Sequence, residues 1–362
     1  MRRKRTIIIA ISVLAAAAAI ALAVYLRKLA APEPARLLPN ADAFIYVNLK
    51  PLRQAGVIGQ KPAPISEPEY AQFVQETGFQ FERDLDEAAF AVHLPSPPAD
   101  GSPRSATADT HPRFSEIFVG HFDTNRVANY FRKIAASTER HRDIDIFSFP
   151  LEGRTVRLAL LGVGTAAVSN TDDPQVIRSM IDKYKEIALP FGGPALVKDY
   201  YKHVPLGTLA WSIARVSPSA PGKNSGLFIL PGGYDLFFPG GSVIVASVRY
   251  TTGVHVKAEA FTTGEDEARR IAEQANAFLS IFRGFSQSMQ PQGPDPDVKE
   301  FFDSLKVEQS NDRAILTASV PQGFIRKMLQ EPPVGDAPLV QGAPAPTPEE
   351  QKTLPKKRPE KK

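Results

Sequence analysis

Residues 116–134 read EIFVGHFDTNRVANYFRKI. Glu116-Ile117-Phe118-Val119-Gly120-His121-Phe122 is rich in β-branched and aromatic residues and predicts a strand. Asp123 then stands where a helix needs a side-chain acceptor for its free N–H groups. Beyond it Val127, Tyr130, Phe131 and Ile134 fall on one helical face. The same order of strand, cap and amphipathic helix returns at 256–285 and 314–329. Repeated βα steps joined to hairpins imply an α+β fold, an antiparallel sheet with packed helices in two related halves, 38–203 and 204–330.

Upstream, Ala43–Leu49 predicts a first strand and Ala88–Leu94 a second. Between them Ser66-Glu67-Pro68-Glu69 has the form of a capping box with proline in the first turn, and Gly78 stops the helix. Downstream, strands are expected at 144–149, 155–161 and 165–169, and Asp173-Pro174 opens another helix. Thr208–Val216 resembles the first strand and starts the second half. A hairpin, 242–250 with 253–261, leads to Thr263-Gly264-Glu265-Asp266, which caps a long helix. Ile271, Ala275, Phe278, Leu279, Phe282 and Phe285 form its apolar face. A short helix at 297–305, a hairpin (307–309 with 314–320) and a helix at 322–329 complete the expected set.

Residues 6–26, TIIIAISVLAAAAAIALAVYL, are apolar and carry no charge. At about 1.5 Å per residue they match a bilayer core of about 30 Å, and a transmembrane signal-anchor helix is expected here. Arg2, Arg3, Lys4 and Arg5 precede it, so residues 1–5 should stay in the cytoplasm and the body outside. Ala21-Leu22-Ala23 offers a signal-peptide cleavage site, but the apolar run is longer than such peptides need. Residues 27–37 read as a stalk. The expected location is a bacterial cytoplasmic (inner) membrane, single-pass, with the lipid bilayer as partner of residues 6–26.

The sequence pI of about 9.1 comes from the ends. Residues 1–28 hold six Lys/Arg and no acid, 331–362 hold six and five acids, and the body between them is left at −3. A nucleic-acid binder concentrates basic charge in its folded part, so that class is excluded. The chain has no cysteine, which removes disulfides, thiolate metal sites and thiol nucleophiles. Residues 95–113 carry five prolines and little apolar content, an exposed insertion, and the eight prolines of 331–362 predict a disordered tail.

Gly162-Val163-Gly164-Thr165-Ala166-Ala167 fits a dinucleotide fingerprint, but such a loop must open a helix, and residues 165–169 read as a strand. A hairpin turn accounts for the glycines. His141-x-Asp143-x-Asp145 would put three metal ligands on one face of a strand; with no second cluster to complete it, a solvated strand entry is the better reading. No nucleophile elbow, zincin motif or P-loop is present. No catalytic residue, cofactor or metal is therefore assigned. The site-like stretch is 226–241, GLFILPGGYDLFFPGG. Leu227, Phe228, Ile229, Leu230, Tyr234, Leu236, Phe237 and Phe238 are held there among glycines and prolines, and serve either as core or as a ligand or partner surface.

The body resembles uncharacterised bacterial membrane-anchored proteins with an extracytoplasmic domain of unknown function. The shared features are Leu38-Pro39-x-Ala41-Asp42, Thr77-Gly78-Phe79-x-x-Glu82-Arg83-Asp84-Leu85-Asp86, Gly120-x-Phe122-Asp123 and the step at Gly164-Thr165. The resemblance implies placement outside the cytoplasm and an α+β fold, and brings no catalytic residues. The function expected is non-enzymatic: an envelope protein that binds a protein partner or acts as a scaffold. The alternative is a lipid- or hydrophobe-binding module using 226–241, and a weaker one is an enzyme without a readable motif.

Overall fold

The computed structural model describes residues 30–54, 67–94, 113–151, 153–186, 192–216, 241–251, 253–288 and 296–323. The chain divides into two units, Met1–Pro321 and Gln322–Lys362, and of the second only Gln322 and Gly323 are described. In the first, twelve strands form one antiparallel sheet.

The strands are β1 (Ala43–Asn48), β2 (Leu85–His93), β3 (Arg113–Gly120), β4 (Ser137–His141), β5 (Ile144–Leu151), β6 (Arg154–Gly162), β7 (Thr165–Ser169), β8 (Thr208–Arg215), β9 (Val243–Tyr250), β10 (Val254–Phe261), β11 (Lys306–Ser310) and β12 (Arg313–Val320). Their order across the sheet is β11-β12-β10-β9-β8-β1-β2-β3-β7-β6-β5-β4. From the central β1–β8 pair the chain runs outward the same way on both sides. Two further strands follow in sequence, and the third then pairs with the returning strand of a later hairpin: β3 with β7, β10 with β12.

Side chains alternate between faces, so the ladder register sorts them. One face is covered by α1 (Glu33–Leu37), α6 (Pro174–Lys185) and α7 (Ala195–Tyr200). Phe44, Ile117, Ile146 and Ile213 of the sheet meet Leu37, Ile177, Met180, Ile181 and Val197 of the helices, all buried. The segment expected as a stalk thus contributes Ala35 and Leu37 to the core, next to Leu38. The other face takes α3 (Pro68–Thr77) and α5 (Thr124–Ile134), joined through a cluster of Phe73, Phe79, Phe81, Phe118 and Phe122. Further along it α8 (Glu265–Ser288) sets Ile271 and Ala272 on Ala260 and Ala314. α2 (Lys50–Gln54), α4 (Phe81–Asp84) and α9 (Pro296–Ser304) complete the helices used below.

Local chemistry explains the element ends. Asp123 accepts from the N–H groups of Asn125 and Arg126, as its position predicts. α3 instead starts at Glu67 without a side-chain cap, its Pro68 needing no N–H partner, and ends at Gly78 with φ +78°.

The expected fold class is corrected at its membrane helix. No helix among the described residues is long and apolar enough to cross a membrane. The helices here bury one stripe only; even α8 opens on Glu265, Asp266 and Glu267. Residues 6–26 lie outside the described residues, as do Arg2, Arg3, Lys4 and Arg5, residues 95–112 and the tail 331–362. A second correction concerns α8, whose expected apolar face extends past Ile271. Among its described side chains Ala268, Ile271 and Ala272 are buried, whereas Phe278 is 54% and Ile281 71% exposed.

Candidate binding face

Leu227, Phe228, Ile229, Leu230, Tyr234, Leu236, Phe237 and Phe238, the surface expected from the sequence, lie outside the described residues. The other sequence candidates resolve into structural roles. Gly162 and Gly164 close the β6–β7 hairpin, with Gly164 at φ +72°, and no helix begins there. His141, Asp143 and Asp145 are not on one strand face. Arg142 and Asp143 take positive φ in the β4–β5 turn, which sends His141 to Asp182 at 2.8 Å and Asp145 to Arg132 at 3.3 Å. Among the described residues no three His, Cys, Asp or Glu side chains gather as metal ligands.

Two histidine–serine contacts have the reach of a base and nucleophile; in the first, His93 Nε2 lies 3.0 Å from Ser115 Oγ. Ser115 is wholly buried, and its hydroxyl faces Ser169, which meets Thr171 at 2.8 Å. Burial also lowers the His93 pKa, with Asp42 opposing. A hydroxyl without access to substrate is a strut between strands, not a nucleophile.

The open chemistry lies on β9, β10, β12 and β11, on the face shared with Val243 and Val245. Cross-strand register arranges it in rows. Val243, Phe261 and Arg313 form the first; Val245, Glu259, Ile315 and Glu308 the second. Ser247, Lys257, Thr317 and Lys306 form the third, and Arg249, His255 and Ser319 the fourth. In the first half of the chain α1 and α6 fill the corresponding space. Here charge replaces packing.

Glu259 is the pivot. It is 3% exposed and holds Lys257 Nζ at 2.5 Å with one oxygen and Arg313 Nη1 at 3.0 Å with the other. A buried carboxylate tolerates this place because two cations compensate its lost hydration. The Arg313 guanidinium in turn lies 5.6 Å from the centre of the Phe261 ring. Phe261 also meets Tyr200 of α7 at 5.1 Å and His203 of the following 3-10 turn at 4.6 Å. Burial lowers the His203 pKa; Glu259 opposes this, and Arg313, Lys202 and Lys257 add to it.

Two clefts open on either side of Glu259. One, of about 420 Å³, is lined by Tyr200, His203 and Phe261 with Asp199, Lys202, Asp312 and Arg313 around them. The other, of about 360 Å³, lies over the third and fourth rows. Neither brings a nucleophile to an oriented base. His255 Nδ1 contacts Ser319 Oγ at 3.1 Å, yet among the described residues no carboxylate holds the other ring nitrogen. The arrangement is one for contact and recognition. Sequence reading missed it because its parts are spread over four strands, α7 and the 3-10 turn, and each alone looks like an ordinary solvated residue.

No protein-family model matches the chain, and no curated protein does. Among solved structures, crystal form III of TP0453 is similar to it at 10% identity and TM-score 0.40, covering 80% of this chain and 95% of that one. Crystal form I of TP0453 gives 11% identity and TM-score 0.41 over 80% and 94%. Likeness at that level brings no activity or ligand to this chain.

Proposed function

We propose that the chain is a non-enzymatic binding protein of the cell envelope, taking a protein partner at the cleft of Tyr200, His203 and Phe261. The carrying observation is that cleft's composition. An aromatic floor is bordered by Arg313, Lys202, Asp199 and Asp312, the pattern of an apolar centre within a polar rim that contact surfaces use. The partner would insert an apolar side chain against Phe261 and pair its own charges with the mixed rim.

A photocrosslinker at Lys202 of the full chain tests this in cells. The expected result is an adduct of one discrete mass that disappears when Asp312→Lys reverses part of the rim. Adducts without a defined mass, or insensitive to the rim charge, count against it. Work outside the cytoplasm is part of the same proposal, supported by the absence of cysteine from 362 residues. A reporter active only outside, fused after Leu329, should be active.

A further inference from the structure

The second cleft has a different chemistry. We propose that Arg249, His255, Lys257 and Lys306 form a site for a ligand carrying two phosphate groups, free or on a lipid headgroup. Arg249 and His255 are directly opposite across β9 and β10. Lys257 and Lys306 flank Thr317 in the adjoining row, so the cluster crosses all four strands. Neighbouring strands are about 4.8 Å apart and the two rows about 7 Å, which puts the backbone positions of Arg249 and Lys306 about 16 Å from each other. Like charges on adjacent rungs repel, and a fold with no use for them disperses them.

Among the described residues compensation is incomplete. There, of the four, Lys257 alone has a carboxylate partner, Glu259, which it shares with Arg313. Arg249 and Lys306 make no ion pair among the described residues. The third and fourth rows contain no acid; Glu308 stands one row away, opposite Ile315. The remaining positions are hydroxyls. Ser304 Oγ is fixed from within the fold: it accepts from the Ser319 N–H at 2.9 Å, and its one proton lies between the carbonyls of Phe301 and Ser319, at 2.7 and 2.9 Å. Ser319 Oγ is at His255, and Thr317 lies between the lysines.

Cations that give charge-assisted hydrogen bonds, interleaved with the Thr317 and Ser319 hydroxyls, suit the tetrahedral, multiply charged phosphate. The spread of charge exceeds one phosphate, and the 360 Å³ cleft has room for two. This site is separate from the partner cleft and does not depend on it.

The test uses the full chain. Inorganic pyrophosphate is titrated calorimetrically, and sedimentation is followed with phosphatidylcholine vesicles with and without cardiolipin, which carries two phosphates. The variants are Arg249→Ala and Lys306→Ala, both outside the Glu259 network, so circular dichroism and Tm should not change. Saturable binding that weakens about tenfold in each variant, and weakens with added salt, is the expected result. Pyrophosphate binding without vesicle binding assigns a soluble ligand, and cardiolipin-dependent sedimentation lost in the variants assigns a headgroup. No saturable binding to either probe, or binding equal in wild type and both variants, overturns the proposal. Crosslinking at Lys202 would be untouched by that failure.

Discussion

Glu116 points to the face opposite that of Ser115 and Ile117, with Phe90 and Val168 as its cross-strand neighbours. Burial pushes its carboxyl up from the ordinary 4.5 to about 7. The folded chain therefore holds this proton more tightly than the unfolded one. The stability it contributes is complete below the unfolded pKa and is lost as pH rises through about 7. Glu116→Gln should raise stability at pH 8 by about 2 kcal/mol and change little at pH 4, read from denaturant midpoints at the two pH values. A variant with the wild-type pH profile would refute the assignment. Glu259 gives the opposite kind of prediction. Glu259→Ala leaves Lys257 and Arg313 without their shared anion and should cost about 3 kcal/mol in the same measurement. At this scale the sequence was silent. "VKAEAF" and "SEIFVG" each place one glutamate in a strand, and only the neighbours separate a paired carboxylate from a protonated one.

Elements were more legible where a cap and a period coincide. Asp123 and Asp173 start their helices as read, because the local side-chain acceptor does not depend on the rest of the fold. Asp123→Ala should lower stability by about 1 kcal/mol, visible as a drop in Tm with the spectrum of the folded state retained. No change in Tm would mean that the contacts of α5 with the sheet, not its cap, set its start. β4 escaped reading since Ser137-Thr138-Glu139-Arg140-His141 has no apolar alternation; it forms because β5 offers it an edge. α1 and α7 are too short to show a period, and packing alone makes them helical. Phe278 of α8 is the reverse error. It has the right spacing for a buried stripe, and yet it is more than half exposed.

The order of strands could not be read from the chain at all. Phe44 lies beside Ala91 on one side and Ile213 on the other, and neither pairing leaves a signal in composition or motif. What the sequence did contain was the βα step, which holds at β3–α5 and β10–α8; the helix of the third, expected at 322–329, lies outside the described residues beyond Gly323. Residues 1–203 lack β8, so one side of β1 loses its ladder partner. Expressed alone, that fragment should self-associate through the exposed β1 edge, seen as concentration-dependent mass in light scattering. A folded monomer would show that β1 does not need its central position.

The pairing of β1 with β8 also imposes a schedule. Asn48 leaves the ribosome long before Arg215, and at about 5–20 residues per second the gap lasts on the order of 10–30 s. During that interval β2 and β3 can dock on one side of β1 while its other edge offers free N–H and C=O groups to any passing strand. The β1–β8 seam of the finished sheet thus closes only after all of β2 to β7 have been made. Any helper that attends the nascent chain has its moment there, and the edge it shields is one that the mature molecule no longer shows.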